Sequence, residues 1–164
     1  MRKTISIGMG EMVVTSDPDA ALICLGLGSC IAICAYDPRR NVGAMVHVVL
    51  PAPSTGNATP PAKYASTAVP LLVEKLTRAG VRKADARIIL CGGAAIFAAL
   101  SGIMDIGQRN IAAVHEGLQQ AGLKVIKEDV GGKESRTVTL DVATGIVKLR
   151  TVRTGEAVFA DLRA

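Results

Sequence analysis

The sequence predicts an α+β fold in which helices cover a mainly antiparallel system of β-sheets. Short runs rich in Val, Ile, Leu and Cys are separated by turn residues, which is typical of strands joined by tight connections. Two longer segments repeat apolar residues at helical spacing. Along the chain the order is strands, helix, strand, helix and strands, and this order favours sheets layered with helices.

The composition limits the class of protein. A length of 164 residues suits one domain with a sizeable core, so we expect residues 1–164 to form a single domain. Aromatic residues make up only 2%, which leaves few platforms for stacking nucleic-acid bases, and the basic residues are scattered. We therefore expect no nucleic-acid partner. The formal net charge of +5 suits an acidic protein partner.

The hydropathy pattern predicts a cytoplasmic protein without membrane insertion. No charge-free run of about 18 apolar residues occurs, as a transmembrane helix would need. The first residues carry charge but no apolar stretch of signal-peptide length before Glu11.

The first strands are predicted to form an antiparallel meander. Residues 20–25 and 30–37 are apolar runs separated by the Gly-Leu-Gly-Ser turn, and residues 42–50 form a third run. The polar turn 38–41, which follows Asp37, joins the second and third runs. Neighbours joined by such short turns normally pair antiparallel.

A long loop and two helices are predicted next. The loop 51–61 is dense in Pro, Ser, Thr and Gly, and a loop this long between ordered elements is often functional. Apolar spacing predicts a helix over 65–76 that ends before Gly80, with Pro70 expected to kink it or delay its start. A second helix is predicted over 106–122.

The remaining segments complete the predicted order. Residues 86–95 are predicted to form a strand that runs into a glycine turn, and 97–104 a short helix. Residues 123–132 are predicted to be a strand that ends in a second glycine turn. A hairpin is predicted over 136–151, with Thr144-Gly145 in its turn.

The chemistry-bearing part of the sequence is the segment CLGLGSCIAIC, which holds Cys24, Cys30 and Cys34. A cysteine in this turn is a packed core residue, a metal ligand or a nucleophile. The spacings include no CxxC pair, so we expect no metal site. Cys34 and Cys91 lie in apolar strands and are expected in the core.

The hairpin register decides whether a histidine reaches Cys30. A four-residue turn pairs Asp37 with Val42, which places Cys30 opposite Val49 and His47 diagonally across on the same face. A slip of one residue would put Cys30 and His47 on opposite faces.

A Cys–His pair on one face suits nucleophilic catalysis. An imidazolium stabilises a neighbouring thiolate, and the backbone N–H groups of the tight turn Gly28-Ser29-Cys30 are candidates to bind an oxyanion. The alternative is structural, because a cysteine or a histidine in an apolar strand often only packs.

The motifs LGLGSCIAICAYDP and VGAMVHVVLP resemble the CheD family of chemoreceptor glutamine deamidases. The segments KYASTAVPLLVEKL, GGAAIF, IGQRNI and DVGGKESRTVTLDVATGIV follow in the same order, so the resemblance extends from Ile7 to about Leu149. It implies a fold similar to the catalytic domain of cytotoxic necrotizing factors. It also implies hydrolysis of glutamine side-chain amides in the cytoplasmic helices of chemoreceptors, with Cys30 as nucleophile, His47 as general acid and base, and no metal or organic cofactor.

The resemblance also implies a partner and exposes one departure. CheD proteins bind a CheC-type phosphatase of the response regulator, which competes with the receptors. The family commonly has threonine six residues before the nucleophile as a third catalytic position, and this chain has Cys24 there. Because a thiol hydrogen-bonds more weakly than a hydroxyl, a non-catalytic or weakly catalytic adaptor that binds receptors and phosphatase is the main alternative. A transglutaminase or a receptor methylesterase would use the same thioester chemistry.

Overall fold

The computed structural model describes residues 1–95 and 105–164. These residues form ten strands and two α-helices. The strands are β1 (Lys3–Ser6), β2 (Met12–Thr15), β3 (Ala20–Leu27), β4 (Ile31–Asp37), β5 (Val42–Val48), β6 (Arg87–Gly92), β7 (Val125–Val130), β8 (Arg136–Asp141), β9 (Ile146–Thr151) and β10 (Gly155–Asp161). The helices are α1 (Ala65–Arg78) and α2 (Ile106–Ala121).

The strands form two five-stranded sheets. The first sheet has the order β1-β3-β8-β9-β10 and the second has the order β2-β5-β4-β6-β7. Neighbouring strands are antiparallel except for the pairs β1/β3 and β6/β7, which are parallel. The predicted α+β class with mainly antiparallel sheets is confirmed.

The second sheet is the middle layer of the molecule. Ile33 of β4 packs in one core cluster with Leu72 of α1 and Val114 of α2. The next residue, Cys34, packs in a second cluster that includes Leu22 of β3. Because successive strand side chains point to opposite faces, β4 is covered by helices on one side and by the first sheet on the other. This burial explains why β4 is apolar at almost every position.

The predicted meander is wrong in one respect. β4 and β5 form the expected hairpin, but β3 belongs to the other sheet, where it pairs with β1 and β8. Gly28 and Ser29 carry the chain from one sheet to the other, so β3 lies over the inner face of β4 rather than beside it. A bulge between Cys24 and Leu27, with Gly26 at a φ of 57°, bends β3 just before this crossing.

Both predicted helices are present. α1 ends shortly before Gly80, whose φ is 86°, and Pro70 lies inside α1 without delaying its start. Asp105 caps α2 by accepting a hydrogen bond from the Gln108 N–H at 2.9 Å, and Gly122 ends the helix in the left-handed conformation. Neither of these helices is long and apolar enough to cross a bilayer.

Other segments extend or limit the sequence predictions. The strand within 86–95, the strand within 123–132 and the hairpin over 136–151 are present as β6, β7 and β8–β9. The structure adds β1, β2 and β10, for which no strand was predicted. The predicted short helix over 97–104 lies outside the described residues.

Candidate active site

In the turn Gly28-Ser29-Cys30, each of the three carbonyl groups accepts a hydrogen bond from another part of the chain. The N–H of Ala94 donates to the Gly28 carbonyl and the N–H of Gly93 donates to the Cys30 carbonyl, both at 2.9 Å. The Ser29 carbonyl accepts from Nδ2 of Asn110, also at 2.9 Å. The segment after β6 and the helix α2 therefore fix the backbone that carries Cys30.

Cys30 lies immediately before β4 and is half-buried, with its side chain against the core between the two sheets. All four cysteines are free thiols, and the other three are buried. Burial raises the pKa of the Cys30 thiol. A thiolate at neutral pH therefore requires a nearby cation or a proton acceptor.

The hairpin register agrees with the prediction. Asp37 pairs with Val42 at the turn, and at the other end Ala32 pairs with His47. Ala32 and Met45 face the core between the sheets, so Cys30 and His47, each two residues from one of them, belong to that same face of the second sheet.

His47 is buried in β5 and is tightly held. Its Nδ1 lies 2.9 Å from the carbonyl oxygen of Ile7. Because a carbonyl oxygen only accepts, Nδ1 carries the proton in the neutral ring and Nε2 is left as the basic nitrogen. The backbone is fixed as well, since the His47 N–H donates to the backbone carbonyl of Glu11 and the His47 carbonyl accepts from the Gly10 N–H.

Cys24 lies beside the same carbonyl group. It is buried in β3, and its thiol donates to the Ile7 oxygen at 3.6 Å. Burial raises the pKa of Cys24 to about 12, with smaller contributions from the neighbouring Cys30 and Cys91. Cys24 thus contacts the group that orients His47, and its thiol is protonated at neutral pH.

Two groups of the site were missed by sequence reasoning. The Ile7 carbonyl is a backbone group, so no residue type signals its role. Asn110 lies inside the IGQRNI segment, but its position against the Cys30 turn depends on how α2 packs. It is completely buried, and its Oδ1 has no hydrogen-bond partner in the described part of the chain. An unpaired buried acceptor costs about 1–3 kcal/mol, which calls for an explanation.

Three further features are placed by the structure. Cys34 and Cys91 are fully buried between the sheets, as expected of core residues. The Nε2 of His115 in α2 lies 2.7 Å from the carboxylate of Glu128 in β7. The loop 51–61 is separated from β5 only by Val49 and Leu50 and is largely exposed.

Comparison with solved structures identifies the fold. The chain is similar to the structure titled "Crystal structure of Bacillus licheniformis hypothetical protein YfiH", with a TM-score of 0.51 over 80% of this chain and 60% of that chain. The two are only 13% identical, so this likeness shows the fold alone.

Comparison with protein families and relatives identifies the family. Residues 49–151 match the family described as CheD chemotactic sensory transduction. Several relatives carry the name "Probable chemoreceptor glutamine deamidase CheD", among them one from each of two organisms. The one from Desulfitobacterium hafniense is 41% identical over 160 residues, which cover 96% of this chain and 99% of that protein. The one from Clostridium botulinum is 40% identical over 156 residues, which cover 93% and 96%.

The chain belongs to the CheD family. The family match begins two residues after His47, so it does not itself include Cys30 or His47. The roles of these two residues therefore depend on the geometry of the site.

Proposed function

We propose that this protein hydrolyses the side-chain amides of selected glutamines in the cytoplasmic helices of chemoreceptors, which gives glutamate and ammonia. The names of relatives about 40% identical over nearly the whole chain support the reaction and the substrate class. The observation that carries the chemistry is the hairpin register, which assigns Cys30 and His47 to one sheet face with Nδ1 of His47 already engaged. The activity is that of a protein-glutamine glutaminase.

In the first half of the reaction Cys30 is the nucleophile. Its thiol proton passes to Nε2 of His47, and the thiolate sulfur attacks the amide carbon of the substrate glutamine. The N–H groups of Ser29 and Cys30 stabilise the oxyanion that forms on the amide oxygen. The intermediate collapses when His47 protonates the leaving nitrogen, so the C–N bond breaks, ammonia departs and a thioester remains.

In the second half His47 acts first as a base. Its Nε2 takes a proton from water, and the resulting hydroxide attacks the thioester carbon. The C–S bond breaks, the proton returns to the Cys30 sulfur, and the substrate side chain leaves as glutamate. Transfer of the thiol proton to His47 in the first half compensates for the raised pKa of the Cys30 thiol.

The Ile7 carbonyl and Cys24 are proposed to support the histidine. The carbonyl holds the Nδ1–H and stabilises the imidazolium that forms in each half of the reaction. Cys24 occupies the third position as a weak donor to the same oxygen, at 3.6 Å. It is a positioning residue in this scheme, because it acts through Ile7 and His47.

The partners and the location follow from the substrate class. A protein that modifies receptor cytoplasmic helices works in the cytoplasm, and its net charge of +5 suits acidic receptor helices. The loop 51–61, which leaves the strand of His47, is proposed to contact the receptor helix or the CheC-type phosphatase. This proposal includes neither nucleic-acid binding nor membrane insertion.

The second candidate is an adaptor that binds receptors and the phosphatase without efficient catalysis. The weak Cys24 thiol at the third position favours it. Incubating a purified receptor cytoplasmic fragment with the protein and measuring its intact mass separates the two functions, because hydrolysis replaces an amide NH₂ with a hydroxyl group. Binding without a mass gain would support the adaptor and overturn the deamidase.

The matched control for this experiment is Cys34→Ala. Cys34 lies four residues further along, in β4, and is fully buried in the core. This variant removes a thiol that takes no part in the proposed chemistry, so a stably folded Cys34→Ala should keep its activity. Cys30→Ala should lower activity by about 10³-fold or more.

A further inference from the structure

Asn110 joins the two chain segments next to the proposed catalytic pair. Its Nδ2 donates to the carbonyl oxygens of Ser29 and Val49, each at 2.9 Å. Ser29 directly precedes Cys30, and Val49 follows His47 by two residues. A single buried amide group of α2 therefore holds the turn of the nucleophile against the residue that follows β5.

The chemistry of the two acceptors determines the orientation of this amide. Carbonyl oxygens only accept, so the NH₂ group of Asn110 must face both of them. Its Oδ1 then lies buried with no partner among the residues that the structure describes. An asparagine that served packing alone would not leave this acceptor unpaired at a fully buried position, where an apolar side chain would avoid the desolvation penalty.

The close approach of α2 makes this contact possible. Gly107 lies against the backbone after β6, where an added Cβ would be 2.6 Å from the Gly93 oxygen and 2.7 Å from the Ala94 oxygen. Those are the residues whose N–H groups hold the carbonyls of Cys30 and Gly28. The beginning of α2 and the glycine turn therefore form one support behind the nucleophile.

Holding the Ser29 carbonyl also orients the next N–H group. The Ser29 carbonyl and the Cys30 N–H belong to one planar trans peptide and point in opposite directions. Because Asn110 holds this carbonyl, it also fixes the direction of the Cys30 N–H. In the described residues this N–H has no acceptor, so it is available to a ligand.

We infer that Asn110 is a positioning residue that fixes the Ser29–Cys30 peptide so that the Cys30 N–H can stabilise the oxyanion of the substrate amide. This inference rests on the proposed deamidase function. It assigns Asn110 no contact with the substrate. Its effect is expected in the step that builds negative charge on the amide oxygen, rather than in the formation of the Cys30 thiolate.

The test compares Asn110→Leu with Val114→Ala. Val114 lies one helical turn further along α2 and is fully buried in the core, so its truncation weakens α2 packing without changing the turn contacts. Deamidation of a purified receptor cytoplasmic fragment gives kcat and KM, and iodoacetamide alkylation of Cys30 is followed across pH. Alkylation needs the thiolate but no oxyanion site, so it separates the two roles.

Asn110→Leu should lower kcat by about tenfold to hundredfold, as misplacement of catalytic groups does. KM and the rate of alkylation at each pH should stay within about threefold of the wild-type values. Val114→Ala should keep kcat within about threefold. If Asn110→Leu does not fold, Asn110→Ala supplies the same comparison at a smaller size.

Each outcome decides a separate statement. A folded Asn110 variant that loses no more kcat than Val114→Ala overturns the positioning role, and so does a variant whose alkylation profile shifts together with kcat. A wild-type protein that does not deamidate the fragment overturns the proposed function itself. Active wild type with the expected losses supports both.

Discussion

Replacing Gly92 with alanine is expected to damage the reaction more than the fold. Gly92 is the last residue of β6 and has a φ of 117°. A Cβ added there would overlap the carbonyl oxygen of Cys30 and would lie 3.2 Å from its carbonyl carbon and 3.3 Å from Cα of Ile31. These atoms are all backbone, so the clash is relieved only if the chain at the nucleophile moves.

The size of the effect follows from these contacts. Bringing the Cys30 oxygen to an ordinary contact distance displaces it by about 1 Å, and misplacement of this size at a reacting group costs about 10²-fold in rate. The left-handed φ separately lowers the free energy of unfolding by about 1–3 kcal/mol. We therefore expect kcat/KM to fall by about 10²-fold in a protein that still folds.

Gly122→Ala is the matched control. Gly122 also has a positive φ, 74°, but an added Cβ would meet nothing within 4 Å. The Gly122→Ala variant therefore has the backbone strain of a positive φ without any displacement at Cys30. Activity is measured as the rate of mass gain of the receptor fragment, and stability by thermal unfolding. If folded Gly92→Ala loses no more activity than Gly122→Ala, the tight support of the Cys30 backbone is not needed for catalysis.

Three further predictions concern the Cys30–His47 pair, the role of Cys24, and the loop 51–61. His47→Ala should move alkylation of Cys30 by iodoacetamide to higher pH, because burial raises the pKa of this thiol and the compensating imidazole is gone; an unchanged profile would contradict the pairing. Cys24→Thr should keep or raise deamidase activity, because a hydroxyl is a better donor to the Ile7 oxygen; a folded variant with clearly lower activity would argue against this role. Segment 51–61 should gain protection from hydrogen exchange when the receptor fragment binds, and unchanged protection would remove it from the docking surface.

Local patterns predicted the parts of the site that depend on one hairpin. The Asp37-Pro38 turn and the apolar runs beside it determine the β4–β5 register, and that register brings Cys30 and His47 to the same face. Both helices could likewise be predicted, because each has apolar spacing and a glycine just beyond its last turn.

Contacts between distant segments could not be predicted in this way. A short turn normally joins paired strands, but Gly28 and Ser29 lead from one sheet to the other, because the inner face of β4 needs a covering layer. The Ile7 oxygen reaches His47 only through the packing of the chain before β2. Asn110 meets the Cys30 turn only because α2 packs against the glycine turn after β6.

The central claim is that glutamine hydrolysis passes through a thioester on Cys30, and a trapping experiment tests it most directly. The receptor fragment is incubated with the protein in the presence of hydroxylamine, and its peptides are mapped by mass spectrometry. A thioester partitions between water and hydroxylamine, so we predict hydroxamate as well as glutamate at the same positions with wild-type protein, and neither product with Cys30→Ala. Glutamate formed without any hydroxamate, or by Cys30→Ala at a rate near that of the wild type, would contradict the claim.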